Sequence, residues 1–262
     1  MSPLKLSRMS RALMTLVVII VAVYLLLCAA LLVFQRALIY FPQPRAIGTS
    51  ASLITLSVDD AQVLVSVRPH DGPNALIYFG GNAEDVSRSL PSFSAAFADQ
   101  ALYLLHYRGY GGSSGSPSEE AIQRDAVALF DQVHATHPHV AVVGRSLGSG
   151  VAIRLASQRP ASRLILITPY NSVEELAARQ FPVFPVKWLL KDKFESWKYA
   201  DRLTVPTLLI AAEHDEVIPR SSTERLLGHF AKGVASLKVI PGAGHNSISE
   251  SPEYLKLLGE GL

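Results

Sequence analysis

Ser146 has a glycine two positions away on either side, in the run Gly144-Arg145-Ser146-Leu147-Gly148. A β-branched apolar stretch, Val140 to Val143, precedes it, and Val151 to Ala156 follows at helical spacing. Strand, tight turn, helix is the order that lifts a serine hydroxyl clear of a sheet and sets it at a helix N-terminus. Glycine is needed at both flanks because a side chain there would collide with the neighbouring strand and helix. The helix N-terminus supplies amides and a dipole that favour developing negative charge. A hydroxyl is a weak nucleophile, so Ser146 needs a general base and a carboxylate to orient that base. On such a scaffold they follow in the order Ser, Asp or Glu, His, each on a loop at the carboxyl end of a later strand. Leu208 to Ala212 reads as one such strand, and its loop carries Asp215 between Glu213 and Glu216. Val239-Ile240 ends the next, and a glycine-rich turn presents His245. The oxyanion of the tetrahedral intermediate requires two amides. The spacing assigns one to Leu147 and the other to Asn82, with Ala83 as the alternative, after Phe79-Gly80-Gly81.

The elements that must position these groups are legible as alternating runs. Leu53 to Val58 and Gln62 to Arg68 alternate around Asp59-Asp60 and predict an antiparallel hairpin. Asn74 to Phe79, Ala101 to Tyr107, Val140 to Val143, Arg163 to Thr168, Pro206 to Ala211 and Ala235 to Ile240 are short buried-strand runs. Helical patterns separate most of them: Ala83 to Asp99 interrupted by Pro91, Glu119 to His134, Leu147 to Ser157, Ser221 to Phe230, and Pro252 to Leu258. Two strands followed by repeated strand-helix alternation predict an eight-stranded, mostly parallel sheet with helices on both faces. The interval 170–202 is long, aromatic and proline-rich, and is expected either as a small lid over the site or as an amphipathic cover for the sheet.

Leu13 to Phe34 is an uncharged stretch of 22 residues. As a helix it would span roughly 33 Å, enough for a bilayer core of about 30 Å. An uncleaved transmembrane anchor is expected over a cleaved signal peptide, whose apolar region is shorter. Residues 1–40 would form the tail and anchor, and 41–262 the catalytic domain. Lys5, Arg8 and Arg11 before the span, against Arg36 and Arg45 after it, predict a cytoplasmic N-terminus and an exported domain, periplasmic or lumenal.

The formal net charge of +2, with no Lys/Arg run interleaved with aromatics, argues against nucleic-acid binding. Cys28 is the only cysteine, so an intramolecular disulfide and a cysteine-ligated zinc site are excluded. His134, His137 and His139 superficially resemble a metal cluster but straddle a predicted helix end and Pro138 without an obvious carboxylate partner, which points to helix termination. His106, at a strand end, is expected as a packed histidine, and His214 as a loop residue.

Four stretches resemble one family: Ile77 to Ala83, Tyr107-Arg108-Gly109-Tyr110-Gly111-Gly112-Ser113, Gly144 to Gly150, and the Asp215 and His245 loops. Together they are similar to the anchored serine hydrolases of the α/β-hydrolase fold, which include lysophospholipid lipases and protein depalmitoylases. Family members commonly have His-Gly-Asn where this chain has Gly80-Gly81-Asn82. The resemblance implies a nucleophilic Ser146, acid Asp215 and base His245, no metal or organic cofactor, and a small-molecule ester, thioester or acyl substrate. It makes Arg108 and Tyr110 shaping residues near the site. An aminopeptidase or amidase on the same triad, or a non-catalytic binding protein on the same fold, are the alternatives.

Overall fold

The computed structural model describes residues 8–46 and 53–262. Lys5, one of the basic residues expected to set the orientation of the N-terminal span, lies outside them. Helix α1 (Arg8–Ile39) is longer than the apolar run alone predicts, because Gln35 and Arg36 continue it into the folded domain. It is long and apolar enough to cross a membrane, and none of its most apolar stretch is buried in the rest of the protein.

The sheet has eight strands: β1 (Leu53–Val58), β2 (Ala61–Arg68), β3 (Asn74–Phe79), β4 (Ala101–Leu105), β5 (His139–Arg145), β6 (Arg163–Ile167), β7 (Thr207–His214) and β8 (Ala235–Gly244). Their spatial order is β1-β2-β4-β3-β5-β6-β7-β8. β2 runs antiparallel to both neighbours, and the other pairings are parallel. Buried residues alternate between the two faces. On β3, Ala75, Ile77 and Phe79 pack into the core beneath α3 (Glu119–His134) and α4 (Leu147–Ala156), while Leu76 and Tyr78 face the core beneath α2 (Leu90–Ala96) and α9 (Pro252–Gly261). α3 shows why these segments are helices. Ser118 caps it by accepting from the Ala121 amide at 3.2 Å, and Ile122, Ala126, Leu129, Phe130 and Val133 form its buried stripe.

The order reverses beside β3, where β5 packs against it with Phe79 opposite Gly144. Loops leaving two adjacent parallel strands toward opposite faces open a crevice at their carboxyl ends. The Gly80-Gly81-Asn82 turn and Ser146 therefore meet there. Two boundaries differ from expectation. The segment 83–99 is not one broken helix but a 3₁₀ turn, Val86–Ser89, followed by α2, and Pro91 lies in the first turn of α2, where its missing N–H costs nothing. β8 continues to Gly244 because β7 keeps pairing with it through His214, across an irregularity, so His245 leaves the strand end directly.

The interval 170–202 folds as three short helices, α5 (Val173–Gln180), α6 (Val186–Leu189) and α7 (Trp197–Ala200), leaving α8 (Arg220–His229) to follow β7. Arg108 makes a bidentate pair with Asp125, at 2.9 Å from Nε to Oδ2 and 2.8 Å from Nη2 to Oδ1, both side chains being buried. This pair joins the loop after β4 to α3.

Candidate active site

Ser146 has φ +49° and ψ −117°, a region that L-residues rarely occupy, and α4 begins at the next residue. Its flanking glycines are required by contact. A Cβ on Gly144 would lie 2.3 Å from the Gly148 carbonyl oxygen, and one on Gly148 would lie 2.1 Å from that of Phe79. Both obstacles are backbone atoms, which cannot rotate aside. Gly148→Ala is therefore expected to destabilise the fold by about 3 kcal/mol or more. Melting the purified variant should reveal this, since each kcal/mol corresponds to about 2–4 °C in a domain of this size; an unchanged Tm would refute the close approach.

The structure brings together Ser146, Asp215 and His245. Ser146 Oγ lies 2.9 Å from His245 Nε2. His245 Nδ1 lies 2.9 Å from Asp215 Oδ2 and 3.0 Å from Oδ1. Asp215 Oδ1 also accepts from the amides of Val217, at 2.9 Å, and Ile218, at 2.7 Å, which fixes the carboxylate. An ionised carboxylate only accepts, so His245 carries its proton on Nδ1 and presents the Nε2 lone pair to the serine hydroxyl. Glu216, a rival for the acid, accepts from the His245 amide at 3.1 Å, and Glu213 from that of Gly242 at 2.8 Å. Both tie the histidine loop to the β7 loop and neither touches the imidazole.

The Leu147 amide opens α4, where a first-turn N–H has no intrahelical acceptor. In the turn after β3, the Gly81 amide donates to Glu84 Oε2 at 2.7 Å, that of Ala83 to Asn82 Oδ1 at 3.1 Å, and that of Glu84 to the Gly81 carbonyl at 3.3 Å. The amide of Ala83, the alternative donor, is thus engaged within the turn. The Asn82 side chain is a separate fastening. Its Oδ1 accepts from the Phe41 amide at 3.0 Å and Tyr110 hydroxyl at 2.9 Å, and its Nδ2 donates to the Ile39 carbonyl at 2.6 Å. The turn beside Ser146 is thus bound to the end of α1.

Sequence reasoning missed Arg145 and Glu84. Arg145 Nη2 donates to the carbonyls of His245 and Asn246 at 3.3 and 3.4 Å, and Nη1 pairs with Glu84 Oε2 at 3.3 Å. Glu84 also accepts from Tyr78 Oη at 2.8 Å. The arginine next to the serine therefore ties three loops together. The signal available was a charged residue inside an otherwise apolar strand-to-helix passage.

The other histidines lie elsewhere. His137 bonds the Gly72 carbonyl at 2.9 Å and Tyr103 Oη at 3.2 Å, and His134 stacks on Phe130. Among the described residues no group of three or more His, Cys, Asp or Glu is arranged to hold a metal. His106 is buried beneath Gly111, and its Nε2 lies 2.8 Å from Ser66 Oγ. Burial pushes its pKa down to about 4 from 6.5. Above pH 6.5 the imidazole is neutral in both states. Below it the unfolded chain takes up a proton that the folded chain refuses until about pH 4. Stability is therefore expected to fall as pH drops through this window, by about 3 kcal/mol from this group. Urea midpoints across the window should be flatter for His106→Asn than for wild type, and parallel curves would remove His106 as the cause.

Ser146 lines two cavities. One, ≈ 630 Å³, is bordered by Arg45, Asn82, Glu84, Arg88, Arg145 and His245. The other, ≈ 410 Å³, is bordered by Leu147, Leu176 and Phe184 and by Leu31 and Leu38 of α1. A polar cleft and an apolar pocket thus adjoin one hydroxyl.

Comparison with known proteins agrees with this architecture. An uncharacterized protein of Mycobacterium tuberculosis is 33% identical over 259 residues, covering 90% of this chain and 89% of that protein. Protein bem46 of Schizosaccharomyces pombe is 27% identical, covering 92% and 90%. Alpha/beta hydrolase domain-containing protein 17B of Xenopus tropicalis is 31% identical, covering 71% and 66%. Among solved structures, the esterase Pf2001 of Pyrococcus furiosus superposes with a TM-score of 0.65 at 18% identity, over 84% of this chain and 97% of that one. Est1E of Butyrivibrio proteoclasticus, solved with ferulic acid bound, gives 0.62 at 15% identity, over 79% and 95%. These two share the fold. The family described as serine aminopeptidase, S33, matches residues 74–199 and 194–252, and with that match over most of the sheet and both loops of the site, this chain belongs to that family of α/β hydrolases.

Proposed function

We propose that this α/β hydrolase is a membrane-anchored serine hydrolase that cleaves carboxylic esters or thioesters through an acyl-enzyme. The observation that carries this reading is the hydrogen-bonded chain from Ser146 Oγ through His245 to Asp215 at the strand ends. Ser146 Oγ attacks the substrate carbonyl carbon while its proton passes to His245 Nε2, and the carbonyl π-electrons move onto oxygen. The Leu147 and Asn82 amides hold that oxyanion. As the intermediate collapses, the bond to the alcohol or thiol breaks and the leaving group takes the proton from Nε2. Water, deprotonated by His245, then attacks the acyl-enzyme, and the carboxylic acid departs as the proton returns to Ser146. Asp215 holds the imidazole in the required tautomer and stabilises the imidazolium.

In this reading α1 crosses the bilayer with residues 1–7 in the cytoplasm, and residues 41–262 are exported, with 170–202 acting as a lid. The apolar pocket beside Ser146 suits an acyl chain, and placing the free ammonium of an aminopeptidase substrate there, beside Leu176 and Phe184, would be costly. The test is labelling of intact cells carrying the full chain with a membrane-impermeant fluorescent fluorophosphonate, the adduct being located by peptide mass spectrometry. An adduct on Ser146 is the expected result. No adduct on the folded protein, even after lysis, overturns the mechanism, and an adduct formed only after lysis overturns the orientation.

A further inference from the structure

Helix α1 is more than a tether. A tether needs no contact with the site, yet the C-terminal end of α1 and Tyr40 after it are fixed to the 170–202 segment by polar side chains. Gln35 Nε2 donates to the Leu189 carbonyl at 3.0 Å, and Gln35 Oε1 accepts from the Lys191 amide at 2.6 Å. Arg36 Nε donates to Asp192 Oδ2 at 3.0 Å, and Tyr40 Oη to the same oxygen at 3.1 Å. Further up the helix, Tyr24 Oη donates to the Val183 carbonyl at 3.0 Å, and the Tyr24 ring stacks on Phe184 with centroids 5.7 Å apart. Gln35 and Asp192 are buried. The bonds of Gln35 and of Tyr40 to Asp192 fix one relative position of the two segments, because breaking them leaves a buried polar group unpaired.

The consequence falls on the apolar pocket. Leu31, Leu38 and Ile39 of α1 form one wall, Leu176, Phe184 and Leu189 the facing wall, and Ser146 with Leu147 the end. Between Leu31 and Leu38, which border the pocket, Val33 and Phe34 do not border it and are exposed, so the same stretch of helix faces both the pocket and the surroundings. The facing segment also leaves Val183 and Trp188 exposed, at 70% and 83%. An apolar rim carrying a tryptophan, beside a helix able to cross a membrane, suits the level of the lipid–water interface. Ser146 also lines the polar cleft with Arg45, Asn82 and Arg88.

We infer that the pocket between α1 and the 170–202 segment is the site for one acyl tail, entered from the bilayer, and that Leu31 and Leu38 of the membrane helix set the chain length accepted. The substrate class is a single-tailed amphiphilic ester or thioester whose polar leaving group lies in the cleft lined by Arg45 and Asn82. A tail moving directly from lipid into an apolar pocket never crosses water, so its transfer carries no desolvation of the polar cleft. This inference rests on Ser146 as the nucleophile.

The test uses the full chain in lipid nanodiscs with the p-nitrophenyl esters of acetate, octanoate, laurate and palmitate, each preparation being titrated with a small fluorophosphonate to count competent serines. Wild type should show kcat/KM rising with chain length from acetate to laurate. Leu31→Trp, which fills the pocket, should lower the laurate-to-acetate ratio of kcat/KM at least tenfold. Leu31→Ala, which enlarges it and is well tolerated in a helix, should raise the palmitate-to-laurate ratio. Wild type that favours acetate, or ratios unmoved in variants that still label, would overturn the tail site while leaving the Ser146 mechanism standing. Wild type that neither labels nor turns over acetate would remove the mechanism and this inference with it.

Discussion

Ser146→Ala is expected to abolish fluorophosphonate labelling and lower ester turnover by about 10⁶-fold while leaving the fold unchanged. The size of the loss follows from the role. Without Oγ there is no acyl-enzyme, and His245 can at best activate water on a substrate held by the two amides, which leaves a residual of about 10³–10⁴ over the uncatalysed reaction. The constancy of the fold follows from what Ser146 does structurally. Its backbone is held by its amide N–H, which donates to the Ile167 carbonyl at 2.8 Å, and by its carbonyl, which accepts from the Ser149 amide at 2.9 Å. Neither uses the side chain, and alanine carries the same Cβ at φ +49°. Circular dichroism and Tm close to wild type, alongside lost labelling, are the expected pair. Turnover of a short-chain ester within tenfold of wild type would end the assignment of Ser146 as nucleophile.

Asp215→Asn is expected to cost about 10⁴-fold in kcat with little change in KM. The amide oxygen of asparagine can keep the bonds that Asp215 Oδ1 accepts from Val217 and Ile218, at 2.9 and 2.7 Å, so the loop stays in place. Its NH₂ then faces His245 Nδ1, where Oδ2 now accepts at 2.9 Å. A donor there reverses the tautomer: Nδ1 becomes the acceptor, and the proton moves to Nε2, facing Ser146. The base then has no lone pair to offer the serine. Fluorophosphonate labelling should slow in proportion, because it needs the same proton transfer. Glu216→Gln is the control, since Glu216 contacts the His245 amide and not its ring. If Glu216→Gln cost as much in kcat as Asp215→Asn, the acid would have been misassigned.

The two ends of the molecule are mechanically joined at one residue. Asn82 carries the backbone amide proposed as an oxyanion donor, while its side chain holds the Ile39 carbonyl, the Phe41 amide and the Tyr110 hydroxyl. The end of α1 is therefore part of the structure that positions the proposed oxyanion donor, which makes the full chain, with its helix, the proper form for measurement.

Much of the site was legible in sequence because its parts are local. Gly144, Ser146 and Gly148 announce their turn through a steric requirement confined to five residues, and the contact distances at both glycines repeat that requirement in space. Asp215 and His245 were legible because strand runs place loops at fixed ends, and strand order then decides which loops are neighbours. The eight strands were legible because apolar runs of this length suit a sheet buried on both faces. What sequence could not carry was anything fixed by pairing across distance. Where β8 ends depends on β7, not on its own residues, and the fastening role of Arg145 depends on carbonyls a hundred positions away. The apolar run from Leu13 to Phe34 determined that this segment is a long helix. Only the tertiary structure decided that its last turns wall the pocket beside Ser146, because Gln35, Arg36 and Tyr40 find their partners in a segment some 150 residues later, and a hydrogen bond of that span leaves no periodic trace in either segment.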